Sequence, residues 1–354
     1  MKYRIAVPLG MVSAFAFLSC QVSGAETSFE SFTLRETRGS SCEVMPVGAA
    51  GWSAAREGET QKAGTKGRTG ARSSFVAAFD EQNRFRLLPG TEVVIRTSTR
   101  DPKFSRVVSL NLERGGVDVD LKAFPKGYQL KVQTPTAVCG AVGTAFSVRS
   151  DRRESNRIEC REGKVFARSA EDGSFSVSSL AAGQTLDAEL APGKENSHSR
   201  LRTEGGDLAV ALGSSEARVT LREGSVVQLA QQRADSTSHV AMKIERGRVD
   251  NSAAGRYVVE NGVVKNVSGD ERLSSLVDDY VGLARSEGAT RSELEVARAR
   301  GAPAAELARA RSRLDAAAAA ASAKRAELFT REEIRRPVRE GLEMDRVRPT
   351  TIPR

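Results

Sequence analysis

Histidine is nearly missing. The 354-residue chain has two, His198 and His239, which leaves little for acid–base catalysis or metal binding. Aromatic residues make up 5% of the chain, with Trp52 the single tryptophan. No nucleophile–base pair, ligand cluster or phosphate-cradling loop stands out. His198 and His239 fall in polar, loop-like sequence, and neither is expected to be catalytic. The adjacent carboxylates Asp278-Asp279 and Glu332-Glu333 lie in helical surface sequence, where neighbours do not share a face. These absences point to a protein that is not an enzyme and carries no cofactor or metal. Past the first residues, no stretch is long and apolar enough to cross a bilayer.

The start of the chain is the exception. Lys2 and Arg4 precede an apolar run from Ile5 to Leu18, and Ser23 and Ala25 sit at the −3 and −1 positions of a cleavage site. That is the layout of a secretory signal peptide over residues 1–25, and a periplasmic or otherwise exported protein is expected. Cys20 offers lipoprotein anchoring as an alternative, although Phe17 and Leu18 fit a lipobox poorly. Without Lys2 and Arg4 the formal charge falls from +9 to +7. In an exported protein that surplus suits acidic envelope polymers or lipid headgroups better than nucleic acid, or is simply a basic solvated surface. Cys42, Cys139 and Cys160 remain. An oxidising compartment allows one disulfide among them and leaves a thiol over, with burial as small apolar side chains the alternative.

What the chain does have is strand patterning. From about Phe32 to Leu190, short alternating runs are separated by turn signals with no helical stretch between them, which argues for an all-β region. Tyr128, Leu130 and Val132 share one side of a strand, and Phe146 and Val148 share one side of another. Between them, Gly140 and Gly143 predict a strand, bulge, strand sequence. A second β region, about Asp207 to Val267, reads as a worn copy. Glu113-Arg114-Gly115 answers to Glu245-Arg246-Gly247, Pro89-Gly90-Thr91 to Glu223-Gly224-Ser225, and Tyr128 to Tyr257.

From Asp270 the composition turns to Ala, Arg, Glu and Leu. Leu273, Leu276, Tyr280 and Leu283 lie on one helical face, and Leu307, Leu314, Ala321 and Leu328 recur at heptad spacing. Gly301-Ala302-Pro303 should end one helix and begin the next. The expectation is an antiparallel helical hairpin or coiled coil, with a single long helix as the alternative. The boundaries are a signal peptide at 1–25, a β domain at 26–195, a partial β repeat at 196–268, helices at 269–335 and a disordered tail at 336–354.

Several motifs together resemble the FecR domain. They are Trp52 in Gly51-Trp52-Ser53, Leu88-Pro89-Gly90-Thr91, Glu113-Arg114-Gly115-Gly116, Thr134-Pro135-Thr136-Ala137, Gly143-Thr144-Ala145-Phe146, Glu162-Gly163-Lys164-Val165 and Ala182-Gly183-Gln184. Each is weak alone, but their order and spacing are specific. The fold this implies is mainly β: a β-sandwich or a β-roll or β-helix-like domain, followed by the smaller β repeat and the helical hairpin.

Trp52, Gly90, Gly115, Thr134, Pro135, Gly143, Thr144, Phe146, Gly163 and Gly183 are expected to shape the fold rather than touch a ligand. Glycines belong at turns, Thr134-Pro135 sets an extended entry, Thr144 hydrogen-bonds locally and Phe146 fills the core. The resemblance implies signalling. FecR-like proteins typically receive a periplasmic signal from an outer-membrane transporter and control a sigma factor through a cytoplasmic anti-sigma segment. This chain departs from that plan, with a signal peptide in place of the cytoplasmic segment, so direct sigma-factor control is not expected. The reading is a non-catalytic exported module that binds an envelope protein or an anionic cell-envelope polymer, with self-association through its C-terminal helices. The alternative is a periplasmic sensor that passes a signal to a separate membrane protein.

Overall fold

The computed structural model describes residues 30–98, 106–122, 127–141, 143–151, 155–170, 174–213, 217–233, 239–250, 252–253, 255–260, 263–331 and 334. The expected signal peptide, Cys20, Glu332-Glu333 and the C-terminal tail lie outside these residues. In chain order the first strands are β1 (Ser31–Arg38), β2 (Cys42–Met45), β3 (Ser53–Ala54), β4 (Thr60–Lys62), β5 (Lys66–Thr69) and β6 (Ser74–Ala78). Then come β7 (Asn83–Leu87), β8 (Glu92–Ser98), β9 (Arg106–Leu121), β10 (Tyr128–Gln133), β11 (Ala137–Ala141) and β12 (Ala145–Ser150). They are followed by β13 (Ser155–Glu162), β14 (Lys164–Ser169), β15 (Phe175–Ala181), β16 (Thr185–Pro192), β17 (Asn196–Glu204) and β18 (Leu208–Leu212). The last are β19 (Arg218–Leu221), β20 (Val226–Gln232), β21 (Val240–Arg246), β22 (Arg248–Val249), β23 (Ser252–Ala253), β24 (Arg256–Glu260) and β25 (Val263–Asn266), before helices α1 (Glu271–Ala299) and α2 (Ala304–Phe329).

Two sheets result. Sheet I is ordered β4-β1-β6-β7-β9-β12-β13-β16-β17-β20-β21-β24-β25, antiparallel throughout. Sheet II is ordered β3-β2-β5-β8-β9-β10-β11-β14-β15-β18-β19-β22-β23, with β9 and β10 parallel. Their inward residues form one continuous apolar cluster running from Phe32 to Val259, with Phe75, Phe85, Phe146 and Phe175 fully buried in it. The alternation that read as strands is the alternation between this core and the outer faces. Leu130, Val132, Phe146 and Val148 all point inward.

The chain builds both sheets at once by crossing between them at glycines. From β12 onward a hairpin in one sheet is followed by a hairpin in the other. Gly163, Gly183, Gly205, Gly224 and Gly247 sit at successive crossings with φ of 77°, 84°, 75°, 73° and 86°. Only glycine adopts that left-handed conformation without a Cβ penalty. Strand β9 belongs to both sheets because it bends at Gly115, where φ is 88° and an added Cβ would lie 2.5 Å from Thr91 Cα. The segments read as strand, turn, strand are therefore corners between sheets. Gly143, with φ of 63°, makes the corner from β11 to β12, whereas Gly140 continues β11 in register with β10. The bulge expected at Gly140 is absent there, and the nearest register shift lies between Ala145 and Phe146.

The two matched segments of the sequence meet the same corners with the sheets exchanged. Gly90 takes the chain from sheet I to sheet II and Gly115 returns it; Gly224 leads from sheet II to sheet I and Gly247 leads back. Tyr128 and Tyr257 follow on strands of opposite sheets. The same corner chemistry thus serves either direction of crossing.

Cys42, Cys139 and Cys160 are free and buried. Cys139 lies on β11 of sheet II and Cys160 on β13 of sheet I. Burial pushes each thiol up from its ordinary value, so all three act as small apolar side chains.

Asp270 caps α1 by accepting from the Leu273 amide at 2.9 Å, and the chain reverses at Gly301 before α2 starts after Pro303. The two helices form a hairpin laid on the outer face of sheet I. Leu273, Leu276, Val277, Tyr280, Val281 and Ala284 pack with Leu328 and Phe329 onto Ala230, Ala241 and Val258. Small residues on the strands let the helix approach, and each large side chain buried there contributes about 1.5–3 kcal/mol. Towards the hairpin tip, Leu294, Leu307, Ala310 and Leu314 hold the helices to each other.

Candidate functional site

The ten motif residues are spread through the fold as structural parts. Gly90, Gly115, Gly143, Gly163 and Gly183 all sit at sheet-to-sheet corners with positive φ. Thr134 closes the tight turn between β10 and β11 by accepting from the Ala137 amide at 2.8 Å, with Pro135 exposed at its apex. Phe146 is in the core. Thr144 departs from the expectation, because its hydroxyl has no partner among the described residues. Its methyl instead fills the space beside Gly163, where an added Cβ would lie 2.5 Å away. Trp52 is half-buried at the sheet II edge with the Arg68 guanidinium 4.2 Å from its ring centre, and Arg68 is paired with Glu43 at 2.6 Å.

One histidine is in a strand and the other in a connection. His198 lies within β17, 4% exposed, with Nε2 3.0 Å from Gln228 Oε1. Burial lowers its pKa to about 4 against the opposing hydrogen bond to Gln228 Oε1, so the ring is neutral at ordinary pH. His239 precedes β21 with its ring 4.6 Å from that of Phe329. Asp278 and Asp279 are ion-pair partners, the first of Arg256 and Lys243 and the second of Lys324. Among the described residues no group of three or more His, Cys, Asp or Glu is placed to hold a metal.

The surfaces of the two sheets differ. The edge strands are short, with β3 and β23 two residues each, β4 three and β25 four. Short edges are poor templates for strand addition, which leaves the two outer faces.

Sheet I carries its own counter-charges. Arg84 pairs with Asp120 at 3.0 Å, Arg157 with Asp187 at 3.0 Å and Glu204 at 3.1 Å, and Arg200 with Glu245 at 2.7 Å and Glu189 at 3.2 Å. Much of the rest lies under α1, locked by Glu287. This fully buried carboxylate accepts from the amides of Glu195 at 2.6 Å and Asn196 at 3.2 Å and from Asn196 Nδ2 at 2.9 Å. Tyr280 donates to Asn196 Oδ1 at 3.1 Å, and Arg291 donates to the carbonyls of Pro192 and Gly193. Gly288 is required at this crossing because a Cβ would strike the Ala191 carbonyl.

Sheet II differs. The helices pack against β16, β17, β20, β21 and β24, all in sheet I. On β14 of sheet II the outward residues are Lys164, Phe166 and Arg168 in alternation, the two cations exposed and Phe166 half-buried. The Phe166 ring lies on Gly140 of the neighbouring strand, where any Cβ would overlap it. Glycine in β11 thus makes a seat for an outward aromatic. The strand alternation of Lys164-Val165-Phe166-Ala167-Arg168 was a signal for this row.

The class this defines is a two-sheet β module with one face covered by its own helices. Residues 65–166 match the sequence model of a family described as FecR protein. No curated protein matches the chain. A crystal structure at 1.65 Å of a candidate anti-sigma factor from Parabacteroides distasonis ATCC 8503 is similar over 35% of this chain and 54% of that one, at 19% identity and a TM-score of 0.28. A second structure, at 2.50 Å and described in the same words, is similar over 33% of this chain and 46% of that one, at 18% identity and a TM-score of 0.21. The chain spans about half the length of these solved structures. No helix among the described residues is long and apolar enough to cross a membrane.

Proposed function

We propose that the chain is an exported, non-catalytic FecR-type module that recognises a partner in the cell envelope. The observation that carries this reading is the allocation of residues. The FecR-type glycines, Thr134 and Phe146 are spent on corners, a turn and the core, while a row of alternating cations and an aromatic faces outward from the matched region and its border. Residues that would suit catalysis are spent on packing and ion pairs. The family match supports a protein partner, with the anionic polymer as the alternative. The test is to load mature protein, residues 26–354, on a support and expose it to detergent-solubilised envelope. Retention of a defined partner in salt-dependent fashion is expected. A mature chain that stays monomeric and retains nothing would overturn the reading.

The family match also favours a second reading, a periplasmic sensor that hands a signal to a separate membrane protein. Deleting the gene should then change transcription under some envelope stress. An unchanged transcript profile across such stresses would remove it.

A further inference from the structure

We infer that the outer face of sheet II, centred on Lys164, Phe166 and Arg168, is a docking surface for an extended acidic polypeptide segment with an apolar residue between two acidic ones. This rests on the recognition reading above and names its surface and its partner's chemistry.

Three observations carry it. The first is unbalanced charge. On sheet I, Arg84, Arg157 and Arg200 are matched across the ladder by Asp120, Asp187, Glu189, Glu204 and Glu245, and on sheet II Arg68 and Arg114 are matched by Glu43 and Glu92. On sheet II, Lys66, Arg96, Lys164 and Arg168 are exposed and have no carboxylate partner among the described residues. Cations left without local counter-ions attract an acidic partner and steer its approach.

The second is the aromatic. An outward phenylalanine seated on a glycine presents a flat apolar face at fixed height, held between the two cations. Such an anchor adds desolvated contact to an otherwise electrostatic surface.

The third is spacing. Alternate residues of a strand lie about 6.6 Å apart, so Lys164 and Arg168 are separated by about 13 Å with Phe166 midway. An extended segment laid along β14 repeats that spacing, placing acidic, apolar and acidic side chains opposite the three. An extended segment thus matches the row residue for residue.

The probe is a synthetic peptide of three repeats of Glu-Ser-Val-Ser-Glu, assayed by fluorescence anisotropy on the mature protein at 150 mM salt. A peptide of the same composition with its glutamates clustered, and polygalacturonate, are compared. The variant pair K164E/R168E should weaken binding of the alternating peptide by about tenfold or more, and F166A by about three- to fivefold. The pair R149E/R309E makes the same change in net charge at exposed, unpaired arginines on sheet I and on the helical hairpin. It should stay within twofold of the parent.

Equal losses from both charge-reversal pairs would overturn the proposal, because long-range attraction would then explain the binding. Indifference to F166A, or tighter binding of the clustered peptide or of polygalacturonate, would also overturn it. Every substituted side chain reaches the surface, and circular dichroism of each variant confirms the fold before binding is compared. If K164E/R168E retains the envelope partner as well as the parent does, this surface is wrong and the recognition reading stands. If the parent retains nothing, the recognition reading itself fails.

Discussion

The two outer faces of this sandwich are made by the same chain, crossing back and forth at the same kind of glycine, yet they end in opposite states. Sheet I is largely covered: Arg84, Arg157 and Arg200 meet carboxylates on neighbouring strands, and α1 covers β16, β17, β20, β21 and β24. Sheet II is open, and on β14 it sets Lys164 and Arg168 about an aromatic with no carboxylate in reach among the described residues. A face whose charges are satisfied internally has little left to offer a partner. A face with surplus cations and a fixed aromatic does. The contrast is what the proposed recognition surface rests on.

The largest test of this contrast removes the cover. Glu287→Ala leaves the amides of Glu195 and Asn196 and the Asn196 side chain without their acceptor inside the helix–sheet seam. A loss of about 3–5 kcal/mol in hairpin docking is expected, read as new hydrogen exchange in α1 while the strands of sheet II stay protected. Glu287→Gln, which keeps the shape and one acceptor oxygen, should lose less. If α1 remained as protected in the alanine variant as in the parent, the seam would not depend on this carboxylate.

Next come the corners that let one chain serve two faces. Gly115→Ala combines a left-handed φ of 88° with a clash against Thr91, whereas Gly90, at 72°, has open space around its would-be Cβ. Thermal unfolding should show a cost of about 2–4 kcal/mol for Gly115→Ala and about 1–2 kcal/mol for Gly90→Ala. Equal costs would mean that the close approach at β9 contributes nothing.

How much of this could be read in advance depends on range. Strands were legible because apolar residues recur at every second position, as at Leu130 and Val132 of β10 and Phe146 and Val148 of β12, and the helix break at Gly301-Ala302-Pro303 was legible from local chemistry. Corners were not distinguishable from hairpins, since Gly163 at positive φ serves either and only the pairing partner decides. His198 misled for a physical reason. Asn196, Ser197, His198 and Ser199 look like a loop, yet all four are buried because the core lies on one side and α1 on the other. Glu287 carries no local signal in its helix, because its partners lie 91 and 92 residues away. The β14 row was the most accessible signal on the candidate face, although the seat at Gly140 comes only from the register.

A pH titration probes the covered face through His198. Its pKa is lowered by burial to about 4 from 6.5, so the docked state binds fewer protons than the undocked state between those values. Stability should be fully present above about pH 6.5 and fall as the pH drops towards 4, by up to about 3 kcal/mol from this group. The variant His198→Gln should flatten that part of the profile. An unchanged slope would place the acid sensitivity elsewhere.

The smallest effects compare single charges. Arg84→Ala breaks a surface pair with Asp120 and should cost no more than about 1 kcal/mol, while Arg168→Ala breaks none and should leave the melting temperature unchanged. A larger stability loss at Arg168 than at Arg84 would show that sheet II is structurally rather than functionally charged.

The most direct measurement of the central claim is site-specific photo-crosslinking of the chain to the proposed partner from two outward positions, Gln133 on β10 of sheet II and Glu159 on β13 of sheet I. The account predicts a partner-specific crosslink from Gln133 and none from Glu159. A crosslink from Glu159 with none from Gln133 would contradict it.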